Sequence, residues 1–305
     1  MSGVGGTPSL AAALLLCALL PGVAAGCGGG AGGGSVDAEV AVPWTDGRCN
    51  GDPSLCDRRY DQVAYPTTHN AMSNADAQWV APNQQHGLTR QLDDGIRGLM
   101  LDMYLEQGDA KLCHASCLLG SQLLSEGLGE IVHFLRAHPG EVVTIIVEPG
   151  DGFDDADIAA AFAGAGLDAY VHTQLVGAPW PTLREMITSG RRVVVFTQRR
   201  DGSVPWYLDQ WAFTWETPYS FKNAGEFTCA RDRGARGNSL YTVNHFLGNP
   251  LPDPTLAELV NHDPVLSDRI ARCRSEGQFP NFVAVDFYDI GDLLPAIRAL
   301  NGLPR

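Results

Sequence analysis

Short runs that are apolar at nearly every position alternate along this chain with longer stretches whose apolar residues recur every three or four positions. The short runs fall at residues 63–68, 98–105, 142–148, 169–172, 193–197, 212–216, 241–245 and 282–286, and they predict eight strands. Helical patterns lie between most of them, at 123–137, 154–163, 183–189 and 289–300. Val-Val-Thr-Ile-Ile-Val and Val-Val-Val-Phe have no polar face, as strands covered by helices on one side and packed on the other require. Strands alternating with helices predict an α/β fold, an irregular eight-stranded (β/α)8 barrel of the TIM type in a single domain over residues 49–305. A doubly wound sheet is the alternative.

The N-terminal portion has a different pattern. Residues 10–20 are an apolar run of signal-peptide length, too short to span a bilayer. Val23-Ala24-Ala25-Gly26-Cys27 follows, then a glycine-rich stretch, so residues 1–26 read as a signal peptide and 27–48 as a tether lipidated at Cys27. Plain secretion, with cleavage near Ala25, is the other reading. Export suits the cysteines. Beyond Cys17 and Cys27 an even set remains, which predicts disulfides Cys49–Cys56, Cys113–Cys117 and Cys229–Cys273. A metal knuckle at Cys113-His114-x-x-Cys117 would need a second pair of ligands at matching spacing, and none follows.

Charge narrows the partners. The chain is 305 residues long with net charge −14, which excludes a nucleic-acid partner and offers no long-range attraction to anionic lipid. An anionic substrate must be gripped locally, mostly by arginine, since Lys111 and Lys222 are the only lysines.

In a β/α barrel the chemistry sits where the strands end. The predicted strands end in His69-Asn70, Asp102, Glu148, Gln198, Glu216, Asn244-His245 and Asp286, a polar ring on one rim. His69 can exchange a proton near neutral pH, and Asp286, on the strand that closes the ring, is placed to orient it. His114, next to a disulfide cysteine, is a second histidine with a constrained position. Asn70, Asp102 and Glu148 make an oxygen set suited to a hard cation. Trp79, Trp206 and Trp211 suit either membrane contact or the core.

The ordered set Thr68-His69-Asn70-Ala71, Gln91-Leu-Asp-Asp-Gly-Ile-Arg-Gly-Leu-Met-Leu-Asp102, Leu112-Cys113-His114-x-x-Cys117 and Pro139-Gly-Glu-Val-Val-Thr-Ile-Ile-Val-Glu148 resembles the X-domain of phosphatidylinositol-specific phospholipases C. Its nearest likeness is to the exported, disulfide-bearing branch, and it runs from about Cys49 to Leu303. The resemblance implies that His69 is the base acting on the inositol 2-hydroxyl and His114 the acid for the diacylglycerol oxygen. It implies Ca²⁺ on Asn70, Asp102 and Glu148, with Met100 where calcium-dependent members carry a fourth, acidic ligand. Lys111, Gln198, Arg199, Glu216, Tyr219 and His245 are expected to line a polyol headgroup at the membrane surface; no protein partner is implied. Two further readings stand beside this one: a glycerophosphodiester phosphodiesterase, and an inactive barrel used as a surface binding module. A glycosidase using Glu148 and Glu216 would leave both histidines idle.

Overall fold

The β/α alternation is realised as eight parallel strands curled into an irregular barrel and wrapped by helices. The computed structural model describes residues 42–248 and 251–305; the expected leader, Cys27 and most of the tether lie outside these residues. The parallel strands are β1 (Tyr65–Thr68), β2 (Gly98–Glu106), β5 (Val143–Pro149), β6 (Val193–Thr197), β7 (Tyr207–Asp209), β8 (Thr214–Glu216), β9 (Leu240–Asn244) and β10 (Phe282–Val285). Their spatial order is β7-β6-β5-β2-β1-β10-β9-β8, so the sequence termini of the barrel meet at β1 and β10. The outer strands of this path, β7 and β8, are not hydrogen-bonded to each other, which leaves a seam.

Side-chain alternation explains the two-sided apolar runs. Ile145 and Val147 of β5, Val193 and Val195 of β6, and Val283 and Val285 of β10 pack outward with Leu128, Ile131, Phe162 and Ile297 of the helices. Ile146, Val194, Phe196 and Phe282 point inward, into a second core with Tyr60, Tyr65 and Trp180. Two adjacent strands approach closely at Gly98, where a Cβ would collide with Thr67.

Three details depart from expectation. Residues 169–172 are not a strand: Asp168–Tyr170 is a 3-10 turn, and only Val171 makes an isolated bridge, to Val193. The remaining parallel strand is β7, whose three residues are too few to show a period. The run at 212–216 begins instead as a short helix, α5 (Gln210–Phe213), because the Asp209 carboxylate accepts from Trp211 N at 2.9 Å and caps it. Finally, β2 runs past the rim and pairs antiparallel with β3 (Asp109–Leu112), which pairs with β4 (Gln122–Leu123).

The other expected elements differ only at their ends, and helices at Leu88–Asp94, Pro254–Val260 and Val265–Glu276 were not expected. Helix α2 is Leu124–Ala137, α3 is Asp155–Ala165, α4 is Leu183–Thr188 and α8 is Leu293–Leu300. The chain is anchored slightly before Cys49: Trp44 packs beside the inner core, and its indole donates to Arg48 O at 2.8 Å. All three expected disulfides are present: Cys49–Cys56, Cys113–Cys117 and Cys229–Cys273. Trp79 is buried and Trp206 packs on Phe162, which assigns both to packing.

Candidate active site

The strand ends surround a cavity of about 290 Å³ at the C-terminal mouth of the barrel, lined by His69, Asn70, Met100, Asp102, His114 and Ile146, then Glu148, Gln198, Glu216, Tyr219, Arg233, Asn244 and Phe246. Each of its two histidines is held through Nδ1 by a carboxylate of its own. His69 Nδ1 donates to Asp286 Oδ1 at 2.9 Å, and its ring lies flat on Phe246, 3.8 Å between centroids. Asn83 Nδ2 donates to the same Asp286 oxygen at 3.0 Å. Gln84 Nε2 donates to the carbonyls of His69 and Val285, which ties β1 to β10 directly below the imidazole.

His114 leaves β3 at the disulfide cysteine Cys113. Asp102 restrains this segment twice: its carbonyl accepts from Cys113 N at 3.3 Å, and its Oδ2 accepts from His114 Nδ1 at 3.1 Å. Because a carboxylate only accepts, both rings carry hydrogen on Nδ1 and leave Nε2 for other work. The Asp102 hydrogen bond raises the His114 pKa above its usual 6.5, against the opposing effect of burial. His114 therefore keeps its proton to higher pH and would lose it as pH rises through the raised value. Asp102→Asn should move the alkaline limb of a pH–rate profile to lower pH, and an unmoved limb would separate His114 from that limb.

Pairing of β2 with β5 sets Asp102 beside Glu148, and Met100 beside Ile146 one step deeper. The two carboxylates thus stand side by side above an apolar floor. The Glu148 carboxyl is pushed upward, first by lost solvation and then by the charge of Asp102. A cation between them would relieve that repulsion. The Asn70 amide nitrogen is buried without a hydrogen-bond partner among the described residues; as an N–H donor it cannot hold a cation, which would need the amide oxygen of Asn70 instead. This donor set fits a hard cation, but thinly: among the described residues no three His, Cys, Asp or Glu groups gather as a metal cluster, and Met100 contributes no oxygen.

Not every expected residue reaches the cavity. His245 is fully buried and its Nε2 faces Val260 O at 2.9 Å; burial, assisted by the charge of Arg269, pushes its pKa down to about 3. Alternation is the reason: Asn244 and Phe246 face the mouth, so His245 between them faces the helices. Lys111 pairs with Glu106 at 3.1 Å on the ribbon, and Arg199 turns out to Asp151 and the carbonyls of Pro149 and Gly150. Neither lines the cavity. Conversely, Arg233, Phe246 and Asn83 were not expected. Phe246 lies two residues past Asn244, so alternation could have found it, whereas Arg233 comes from a loop with no periodic signal.

Comparison with known proteins agrees with this architecture. The PI-PLC X 1 family matches residues 55–301. The chain is 35% identical over 279 residues to "PI-PLC X domain-containing protein 1" of Arthroderma benhamiae, covering 84% of this chain and 90% of that one. It is 31% identical to an "Uncharacterized secreted protein" of the same fungus, covering 80% of this chain and 61% of that one. Among solved structures, the phosphatidylinositol-specific phospholipase C from Listeria monocytogenes superposes with a TM-score of 0.56 at 17% identity, covering 81% of this chain and 94% of that one, a likeness of fold. With the two-histidine mouth on such a barrel and the family match across nearly all of it, this chain belongs to the PI-PLC X family.

Proposed function

We propose that the protein is an exported phosphodiesterase that cleaves phosphatidylinositol-type lipids. The observation that carries this reading is the pair of imidazoles lining one cavity, each with Nδ1 on its own carboxylate and Nε2 unused by those bonds. His69 Nε2 takes the proton from the inositol 2-hydroxyl as that oxygen bonds to phosphorus. His114 Nε2–H gives its proton to the diacylglycerol oxygen as the phosphorus–oxygen bond to it breaks. The products are diacylglycerol and inositol cyclic phosphate, with atoms and protons balanced. In a second round the roles reverse: His114 deprotonates a water, and His69 returns a proton to the 2-oxygen as the ring opens. The internal hydroxyl is an effective nucleophile because it is already held next to phosphorus.

Asn70, Asp102 and Glu148 would hold the calcium ion, whose chemistry is to stabilise charge growing on the phosphoryl oxygens. Export is supported by the three disulfides, which persist in oxidising compartments, and by the relative described as secreted. Lipid anchoring through Cys27 completes the proposal.

The test is turnover of phosphatidylinositol vesicles by the purified protein with Ca²⁺ and with chelator. Chelator is expected to remove most of the activity, and Ca²⁺ to restore it. Glu148→Gln should raise the Ca²⁺ concentration needed for half-maximal rate. Full turnover in chelator would retire the metal and leave Glu148 as a group that orients Gln198, with which it shares a 3.1 Å hydrogen bond.

A further inference from the structure

Three cross-links brace this fold, and they differ in what can reach them. Cys49, Cys56, Cys113, Cys229 and Cys273 are buried, at 2% exposed or less, whereas Cys117 is partly open to solvent. Cys113–Cys117 is therefore the disulfide with a cysteine within reach of a dissolved thiol. It is also the one whose ring of residues encloses a histidine of the cavity, His114.

Little else holds that loop. Residues 113–121 contain no helix or strand. Among the described residues, His114 to Leu118 make one hydrogen bond to anything outside 113–119, from His114 Nδ1 to Asp102. Ser116 N donates to His114 O and Leu119 N to Ser116 O, so these backbone bonds stay inside the loop. Closing the ring in so few residues requires a sharp reversal, and Ala115 supplies it at φ +57°. That is the left-handed region, which a residue with a Cβ occupies only when its surroundings impose it. The cross-link imposes it here. Opening the disulfide lets Ala115 relax to the right-handed basin, and that moves the neighbouring His114 imidazole with it.

We infer that Cys113–Cys117 is a redox switch on the active site: closed, it holds His114 in its working pose, and opened by a dithiol, it silences the enzyme. The inference rests on the proposed phosphodiesterase reading and adds its regulation. One thiolate of the dithiol attacks the Cys117 sulfur; the bond to Cys113 breaks, its electron pair goes to the Cys113 sulfur, and that sulfur takes up a proton. The second thiolate of the reagent then displaces Cys117, which leaves as a thiolate and is protonated, and the reagent closes to its own disulfide. Two electrons and two protons pass from reagent to protein. A small oxidised disulfide reverses the exchange. The exported enzyme thus works in oxidising surroundings and stops where thiols accumulate.

The test titrates the wild-type protein with dithiothreitol, then denatures and alkylates samples to locate free thiols by mass spectrometry. Labelling of Cys113 and Cys117 is expected first, with Cys49–Cys56 and Cys229–Cys273 still closed. At that point kcat on phosphatidylinositol should be down about 10- to 100-fold, the cost of a misplaced catalytic group, with KM changed by less than about threefold. Reoxidation with oxidised glutathione should restore it. The double variant Cys113→Ala, Cys117→Ala should be slow from the start and indifferent to reductant, with its fold verified by circular dichroism. Nitrogen-15 NMR of the histidine rings needs no turnover: the His114 signals should move on reduction while those of the buried His245 stay. Simultaneous opening of all three disulfides, or full kcat with Cys113 and Cys117 free, would overturn the inference and leave the phosphodiesterase reading standing. A moving His114 signal in a protein that cleaves no lipid would do the reverse. Should the double variant fail to fold, the wild-type titration decides.

Discussion

His69→Ala is expected to lower turnover of phosphatidylinositol by about 10²- to 10⁴-fold, the range general acid–base groups contribute. The loss should fall on kcat, because the imidazole acts on a proton that moves only as the phosphorus bond forms. The fold should survive. Asp286 retains Asn83 as a donor at 3.0 Å, and Phe246 loses one stacking partner at the cavity wall. Its melting temperature should move by only a few degrees, since about 1 kcal/mol shifts a domain of this size by about 2–4 °C. Single-turnover kinetics together with a melting curve check both halves. Loss of less than tenfold with the fold intact would remove His69 from the chemistry.

A second large effect is expected on stability. Replacing Cys229 and Cys273 by serine frees a cross-link spanning 44 residues that joins the loop after β8 to helix α7 (Val265–Glu276). Loop-closure entropy assigns such a link about 2–4 kcal/mol, or about 5–15 °C in melting temperature. The disulfide packs beside the Trp215–Tyr241 stack, whose rings are 3.7 Å apart. The loop it anchors carries Arg233, which lines the cavity, so the double variant should also turn over phosphatidylinositol more slowly. Scanning calorimetry under non-reducing conditions checks the first part. A shift under 2 °C would mean that the core of β8 and β9 fixes the loop without help from the cross-link.

What could be read from the sequence followed from periodicity and from local chemistry. Residues 193–197, apolar throughout, specified β6 to the residue, and β5 and β10 each differed from expectation by a single residue at one or both ends. The polar residues at the ends of β1, β5 and β8 reached the mouth as strand-end logic requires, and Asp102 reaches it from the middle of β2, which runs on past the rim. The failures have physical causes. His245 was misplaced because strand-end position was weighed without alternation, which turns every second residue outward. Strand β7 has three residues and no period. Arg199 and Lys111 carry the right charge, but carboxylates at Asp151 and Glu106 draw them elsewhere. Arg233 depends on the unclosed seam between β7 and β8, a property of the whole sheet that no segment of sequence carries.

The central claim, that His69 and His114 work as a pair on an internal nucleophile, is tested most directly by following the phosphorus-31 NMR spectrum of phosphatidylinositol during incubation with the purified protein. The account predicts that inositol 1,2-cyclic phosphate appears first, that the open phosphate follows it, and that both form about 10²-fold or more slowly in His69→Ala and His114→Ala. Appearance of the open phosphate with no preceding cyclic species, or of phosphatidic acid, would contradict it, because the nucleophile would then be water from the outset or a different phosphorus–oxygen bond would be the one broken.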